Sequence, residues 1–233
     1  FLALVILFLI YRFVPSIKVP KIEGKAKPSP QQVIRRVTSN SNQMRAIFLT
    51  ILMMLGQFMI IPFLSPFMVA NVGFSELQLT YIYMAGGFFT VFTSPWVGRL
   101  TDKYGKVKIF TIFMSLNVVP IAIITHLGPT PILLALAVST LLFVTSNGRM
   151  VPAAALITGT AKSENRGSFL SFNSAVQQLS AGLASFFGGM ILVENTDGKL
   201  LNFEYIGYIA IIISLLCIPL IRRIRVVDAS SSE

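Results

Sequence analysis

Gly98-Arg99-Leu100-Thr101-Asp102-Lys103-Tyr104-Gly105-Lys106-Val107-Lys108 is the stretch on which the reading of this chain turns. Four basic residues, one acid and two glycines stand between about 22 apolar residues behind and about 18 ahead, each run the length of a membrane span. The stretch therefore reads as a tight cytoplasmic hairpin between two transmembrane helices. In it Gly98 lets one helix end approach a neighbour closely. Asp102 supplies a negative charge suited to a helix N-terminus, and Gly105 permits the positive-φ turn from which the next helix starts.

Composition points the same way. Of 233 residues 54% are hydrophobic, and a mean hydropathy of +0.75 is far too apolar for a soluble domain. The net charge of +10 would suggest nucleic acid in a soluble chain. Here the basic residues are confined to connections between apolar runs, so topology accounts for them and no nucleic-acid partner is expected. The single cysteine, Cys217, excludes an intrachain disulfide and a multi-cysteine metal site.

Outward from the hairpin, the spans follow in order. Residues 1–14 would reach only about 21 Å as helix, too short to cross, so they read as the end of a truncated transmembrane helix. Residues 15–45, with four prolines and seven basic residues, read as a cytoplasmic linker. Within it Pro30–Val37 has the pattern of a short amphipathic helix, with Val33, Ile34 and Val37 facing inward. The bundle proper, 46–225, holds six spans: Ala46–Ala70, Leu79–Val97, Val107–Thr125, Pro131–Gly159, Arg166–Val193 and Phe203–Ile221. Gly56, Pro62 and Pro66 predict that the first is kinked. Glu164 is expected near the positive end of the fifth, and His126 is expected in a solvated outer turn. Residues 226–233 are a polar tail. On this assignment every lysine and arginine except Lys199 falls on the inner side or inner half, whereas the outer loops hold Glu76, Glu194, Asp197 and Glu204. That bias sets the orientation, with linker and C-terminus cytoplasmic.

The spacing G-x-x-x-D-K-x-G-K in Gly98, Asp102, Lys103, Gly105 and Lys106 resembles the loop signature of the major facilitator superfamily of secondary transporters. It departs at Val107, where that family usually has a second basic residue. The runs Arg149-Met150-Val151-Pro152 and Glu164-Asn165-Arg166-Gly167-Ser168 are similar to drug and sugar exporters of the superfamily. The resemblance implies an all-α polytopic membrane protein, the six-helix C-terminal half of a twelve-helix fold, in a bacterial cell membrane. It also implies a missing N-terminal half as partner, a small-molecule substrate, protons as a coupling ion, and a gating role for the loop from Gly98 to Lys106. The expected function is efflux of a small organic solute, drug or sugar, by alternating access. A non-transporting sensor or assembly factor on the same scaffold is the alternative, because fold alone does not settle function.

The residues limit the chemistry. No stretch reads G-x-x-x-x-G-K-[ST], so ATP hydrolysis is not expected. One histidine and one cysteine build neither a zinc site nor a Ser-His-Asp set, and no enzyme activity or cofactor is expected. Arg149 is the one ionisable residue well inside a span, where a charge is costly unless it faces a cavity or a partner. It either snorkels about 15 Å to the inner surface or meets an anionic group. On the fifth span Asn173, Gln177 and Ser180 share a helical face beside Ser174 and Gln178, which suits a cavity or another helix better than lipid. Gln57 completes the candidates, since the equivalent helix lines the central cavity in the family resembled. No acid sits mid-span, so a proton-coupling carboxylate would belong to the other half.

Overall fold

Helix α1, Pro30–Ser39, opens on a reciprocal cap in which Ser29 Oγ accepts from the Gln32 N–H and Gln32 Oε1 accepts from the Ser29 N–H. It is the first element of a computed structural model that describes residues 12–13 and 29–227. Most of the expected truncated helix, the first half of the linker and most of the polar tail lie outside the described residues. In α1, Val37 is buried and Val33 half-buried, but Ile34 is 45% exposed, a correction to the inward placing of all three. A single docked helix has one buried face, and Val33 with Val37 fills it.

Asn40 then caps α2, Ser41–Phe58, through hydrogen bonds from the Asn42 and Gln43 N–H groups. The kink expected of the first span is present. The chain turns at Met59 and Ile60, resumes as α3, Ile61–Phe67, and ends in a π-helical turn, Met68–Val72. Pro62 has no N–H for the Phe58 carbonyl, and Ser185 Oγ donates to that carbonyl at 3.4 Å.

Four long helices and one more complete the bundle: α4, Glu76–Tyr104; α5, Lys106–Thr125; α6, Ile132–Thr158; α7, Arg166–Ile191; and α8, Phe203–Ile221. Helix α4 runs on through Gly98–Tyr104, so the connection to α5 shrinks to Gly105, at φ 91°. A short hairpin of β1, Val193–Glu194, and β2, Leu200–Leu201, stands where the sequence suggested only a loop. Asn71 holds it in both directions, its Nδ2 donating to the Leu200 carbonyl and its Oδ1 accepting from the Leu200 N–H. Glu164 makes no cap for α7; it lies in a 3-10 turn, Ser163–Asn165, whose Asn165 accepts from the Arg36 guanidinium.

Helix contacts run in the series α4, α6, α5, α8, α2, α7. Exchanging α2, α4 and α5 for α6, α7 and α8 reproduces that series, so the bundle is two three-helix units of opposite direction. Four contacts of the series have a glycine set tightly against the neighbouring helix, and Gly188 of α7 packs likewise on Phe63 of α3. A methyl at Gly86 would overlap Phe143, at Gly148 the Phe113 ring, at Gly207 the Thr125 side chain and at Gly188 the Phe63 ring, and at Gly56 it would press on Ser214. Between apolar helices in lipid, close backbone approach replaces the hydrophobic drive that water supplies elsewhere.

Among the described residues four helical runs are long and apolar enough to cross a membrane: Ser41–Val72, α5, α6 and α8. The other two, α4 and α7, are 29 and 26 residues long but richer in polar groups. They are the two ends of the contact series, and they expose Tyr81, Phe88 and Phe92 on α4 and Leu183, Phe186 and Met190 on α7.

Candidate functional site

In the middle of the series α5 and α8 pack together behind α6 and α2, which leaves α6 and α2 with few contacts to each other and a cleft between them. Arg149 of α6 lies in it, 1% exposed. Its Nη2 donates to Gln57 Oε1 at 3.3 Å and its Nη1 lies 3.3 Å from Met114 Sδ. Neither partner is charged. The guanidinium is thus held at depth, not carried to the basic surface. Gly56, Gln57, Ile60, Asn117, Ser146 and Arg149 are among the residues lining the cleft, whose free space is ≈ 10 Å³, about one water molecule.

Asn117 is the residue the sequence reading passed over. Fully buried on α5, it donates through Nδ2 to Thr145 Oγ1 at 2.7 Å and Ser146 Oγ at 3.1 Å, tying α5 to α6 one turn from Arg149. Among the described residues its Oδ1 and Arg149 Nε have no partner. An amide in an otherwise apolar run was the available signal, but its face of α5 was not.

Asn173 and Gln177 lie elsewhere. They line a second cavity of ≈ 200 Å³ with Thr50, Met53, Met54 and Met150, between the α1-side ends of α2, α6 and α7. Thr50 Oγ1 donates to Asn173 Oδ1 at 2.7 Å. The two cavities share no lining residue, so the structure pairs Arg149 with Gln57 and Asn173 with Gln177 but does not join the pairs. Gln178 and Ser174 are exposed. Ser180, Ala181, Ala184 and Gly188 are buried.

The Gly98–Lys106 stretch lies at the joint between α4 and α5. A methyl at Gly98 would meet nothing within 4 Å, so no helix of the described residues approaches there. Asp102 sits in the last turn of α4 and does not cap α5, which begins at Gly105 without a side-chain cap. It is exposed, while the Lys103 and Lys108 ammonium groups lie 5.2 and 5.5 Å from the Tyr104 ring.

Helices long enough to span a bilayer, packed through glycines, with polar side chains turned into clefts between them, define a polytopic helical membrane protein. The family model of the Major Facilitator Superfamily matches residues 46–233, and the chain belongs to that family. Membrane transport of small solutes is the general function that membership brings. Searches of curated proteins and of solved structures returned no match.

Proposed function

We propose that the protein is a secondary active transporter that exports a small organic solute, a drug or a sugar, by alternating access. The observation that carries this reading is Arg149, a buried guanidinium held by Gln57 in the cleft between α2 and α6. A charge at that depth costs about 2.5–3.5 kcal/mol or more and is retained where it faces a pathway or a partner. The separate cavity around Asn173 and Gln177 lies toward the basic end of the bundle, where a pathway would continue in another state. Its methionines, Met53, Met54 and Met150, are soft and adaptable beside a few fixed amides, which suits an apolar drug better than a sugar.

The exposed apolar faces of α4 and α7 suit an N-terminal half of the same transporter. The acids of the described residues stand near helix ends or in turns, so coupling by protons would use a carboxylate of that half. The charge bias supports an orientation with the α1 side cytoplasmic, and a bacterial cell membrane is the setting proposed with it.

The test is solute movement by the full-length protein in inverted vesicles, over a panel of drug-like and sugar solutes. Arg149→Lys, Arg149→Ala and Gln57→Ala are each expected to lower the rate for a transported solute at least about tenfold, with normal insertion. Wild-type transport by Arg149→Ala would overturn the assignment.

A further inference from the structure

On the side of α2 away from the Asn173 cavity lies a third cavity, of ≈ 290 Å³, lined by Phe48 and Leu52 of α2 and by Leu216, Pro219, Leu220 and Arg223 at the end of α8. Phe48 and Leu52 are one turn apart, and Leu216, Pro219 or Leu220, and Arg223 follow one another at helical spacing. Two parallel ridges thus enclose a groove that runs about 10 Å along the helices. Its walls are open to the surroundings, with Phe48 53% and Leu216 52% exposed. The mouth is cationic. Arg45, one turn before Phe48, donates from Nη1 to the Arg223 carbonyl at 3.2 Å, which brings both arginines to the same end of the groove. Both are exposed, as are Arg222 and Arg225 beside them. Among the described residues no acid stands on α2 or between residues 205 and 227.

We infer that this groove binds one anionic phospholipid of the leaflet at the basic end of the bundle, its acyl chain between α2 and α8 and its phosphate against Arg45 and Arg223. The apolar walls select a lipid over a free phosphate, because an inorganic anion gains nothing from Phe48, Leu52 and Leu216. The arginines select an anionic headgroup over a zwitterionic one, since each basic group near a membrane surface attracts net negative charge. The groove shares no lining residue with the cavities of Arg149 and Asn173.

Native mass spectrometry of the full-length protein released from detergent, titrated with phosphatidylglycerol or phosphatidylcholine, tests the assignment. The wild type is expected to hold one phosphatidylglycerol in at least about fivefold preference to phosphatidylcholine. Arg45→Gln/Arg223→Gln should bring the two lipids to parity, whereas Arg45→Lys/Arg223→Lys, which keeps the charges, should retain the preference. Leu216→Trp, which fills the groove, should lower occupancy by both lipids. Lys162→Gln/Arg166→Gln, exposed at the same end but away from the groove, should change neither. Parity in the wild type, preference surviving in Arg45→Gln/Arg223→Gln, an equal loss in Lys162→Gln/Arg166→Gln, or unchanged occupancy in Leu216→Trp would each overturn the proposal.

Discussion

Gly148 and Arg149 are adjacent on α6 and meet opposite demands. Gly148 lies flat against the Phe113 ring so that α6 and α5 can touch, and Arg149 turns from that contact toward Gln57 on α2. A methyl at 148 therefore pushes the arginine as well as the helix. Gly148→Ala is expected to cost about 1–3 kcal/mol, the usual penalty for overpacking, and Gly86→Ala, against Phe143, the same. Gly87→Ala, whose methyl meets nothing within 4 Å, should stay within about 0.5 kcal/mol. Thermal unfolding of the three variants checks this, and equal shifts at positions 86 and 87 would show that α4 does not pack on α6 through Gly86. His126, expected in a solvated outer turn, is exposed, and its ring nitrogens are also engaged: Nδ1 is 2.8 Å from the Ala122 carbonyl and Nε2 2.8 Å from the Tyr208 hydroxyl. With Nδ1–H donating to the carbonyl, Nε2 accepts from Tyr208 and joins α5 to α8.

At the scale of elements, the connection between α4 and α5 is reduced to one residue. Two helices reverse direction at Gly105, whose φ of 91° lies where a side chain is strained. Thr101 is buried beneath the turn, donating from Oγ1 to the Val97 carbonyl at 2.7 Å, and its own carbonyl accepts from the Gly105 N–H at 3.0 Å. Gly105→Ala is expected to cost about 1–2 kcal/mol and to act locally. Hydrogen exchange should quicken over residues 101–109 and stay unchanged in α7 and α8; unchanged exchange throughout would mean that the positive φ is not required. Helix α1 is the opposite case, an element whose own cap starts it but whose docking rests on Val37 among the α2, α6 and α7 side chains. Val37→Asp should release it, raising exchange over residues 30–39 while the spans keep their protection. Continued protection there would show that the Arg36 bond to Asn165 suffices.

The whole molecule is a contact series with two open ends, α4 and α7, and Asp102 sits at one of them without a hydrogen-bond partner among the described residues. The proposed N-terminal half would supply that partner, making Asp102 a latch on the state closed at the basic end. Exposed charge and dipole contacts of this kind contribute about 0.5–2 kcal/mol, little for folding but enough to move a balanced equilibrium roughly five- to thirtyfold. Asp102→Asn in the full-length protein should insert normally and raise the accessibility of a cysteine at Ser171, with solute affinity nearly unchanged. Unchanged accessibility together with weakened affinity would show that Asp102 is no latch. The orientation itself is checked with single cysteines at Ser29 and Thr196 in a Cys217→Ser background, which should label from opposite sides of the membrane. Labelling of both from one side would overturn the topology.

The sequence by itself determined how many long helices the described residues form, nearly where each begins, and that the first one is kinked. These are local properties: run length against bilayer thickness, a missing N–H, and a charge bias between alternate loops. It also marked Arg149, Gln57, Asn173 and Gln177 as polar groups that a lipid-facing surface would not tolerate. Only the tertiary structure decided which of them meet. Periodicity shows that a helix has a buried face but not which helix covers it, so the pairing of Arg149 with Gln57, the separate cavity of the two amides, and the place of Asn117 beside Ser146 were not legible. The same reason lies behind the misplaced Ile34: α1 has one buried face, and which of its residues fill it depends on the α2, α6 and α7 side chains that come together around Val37.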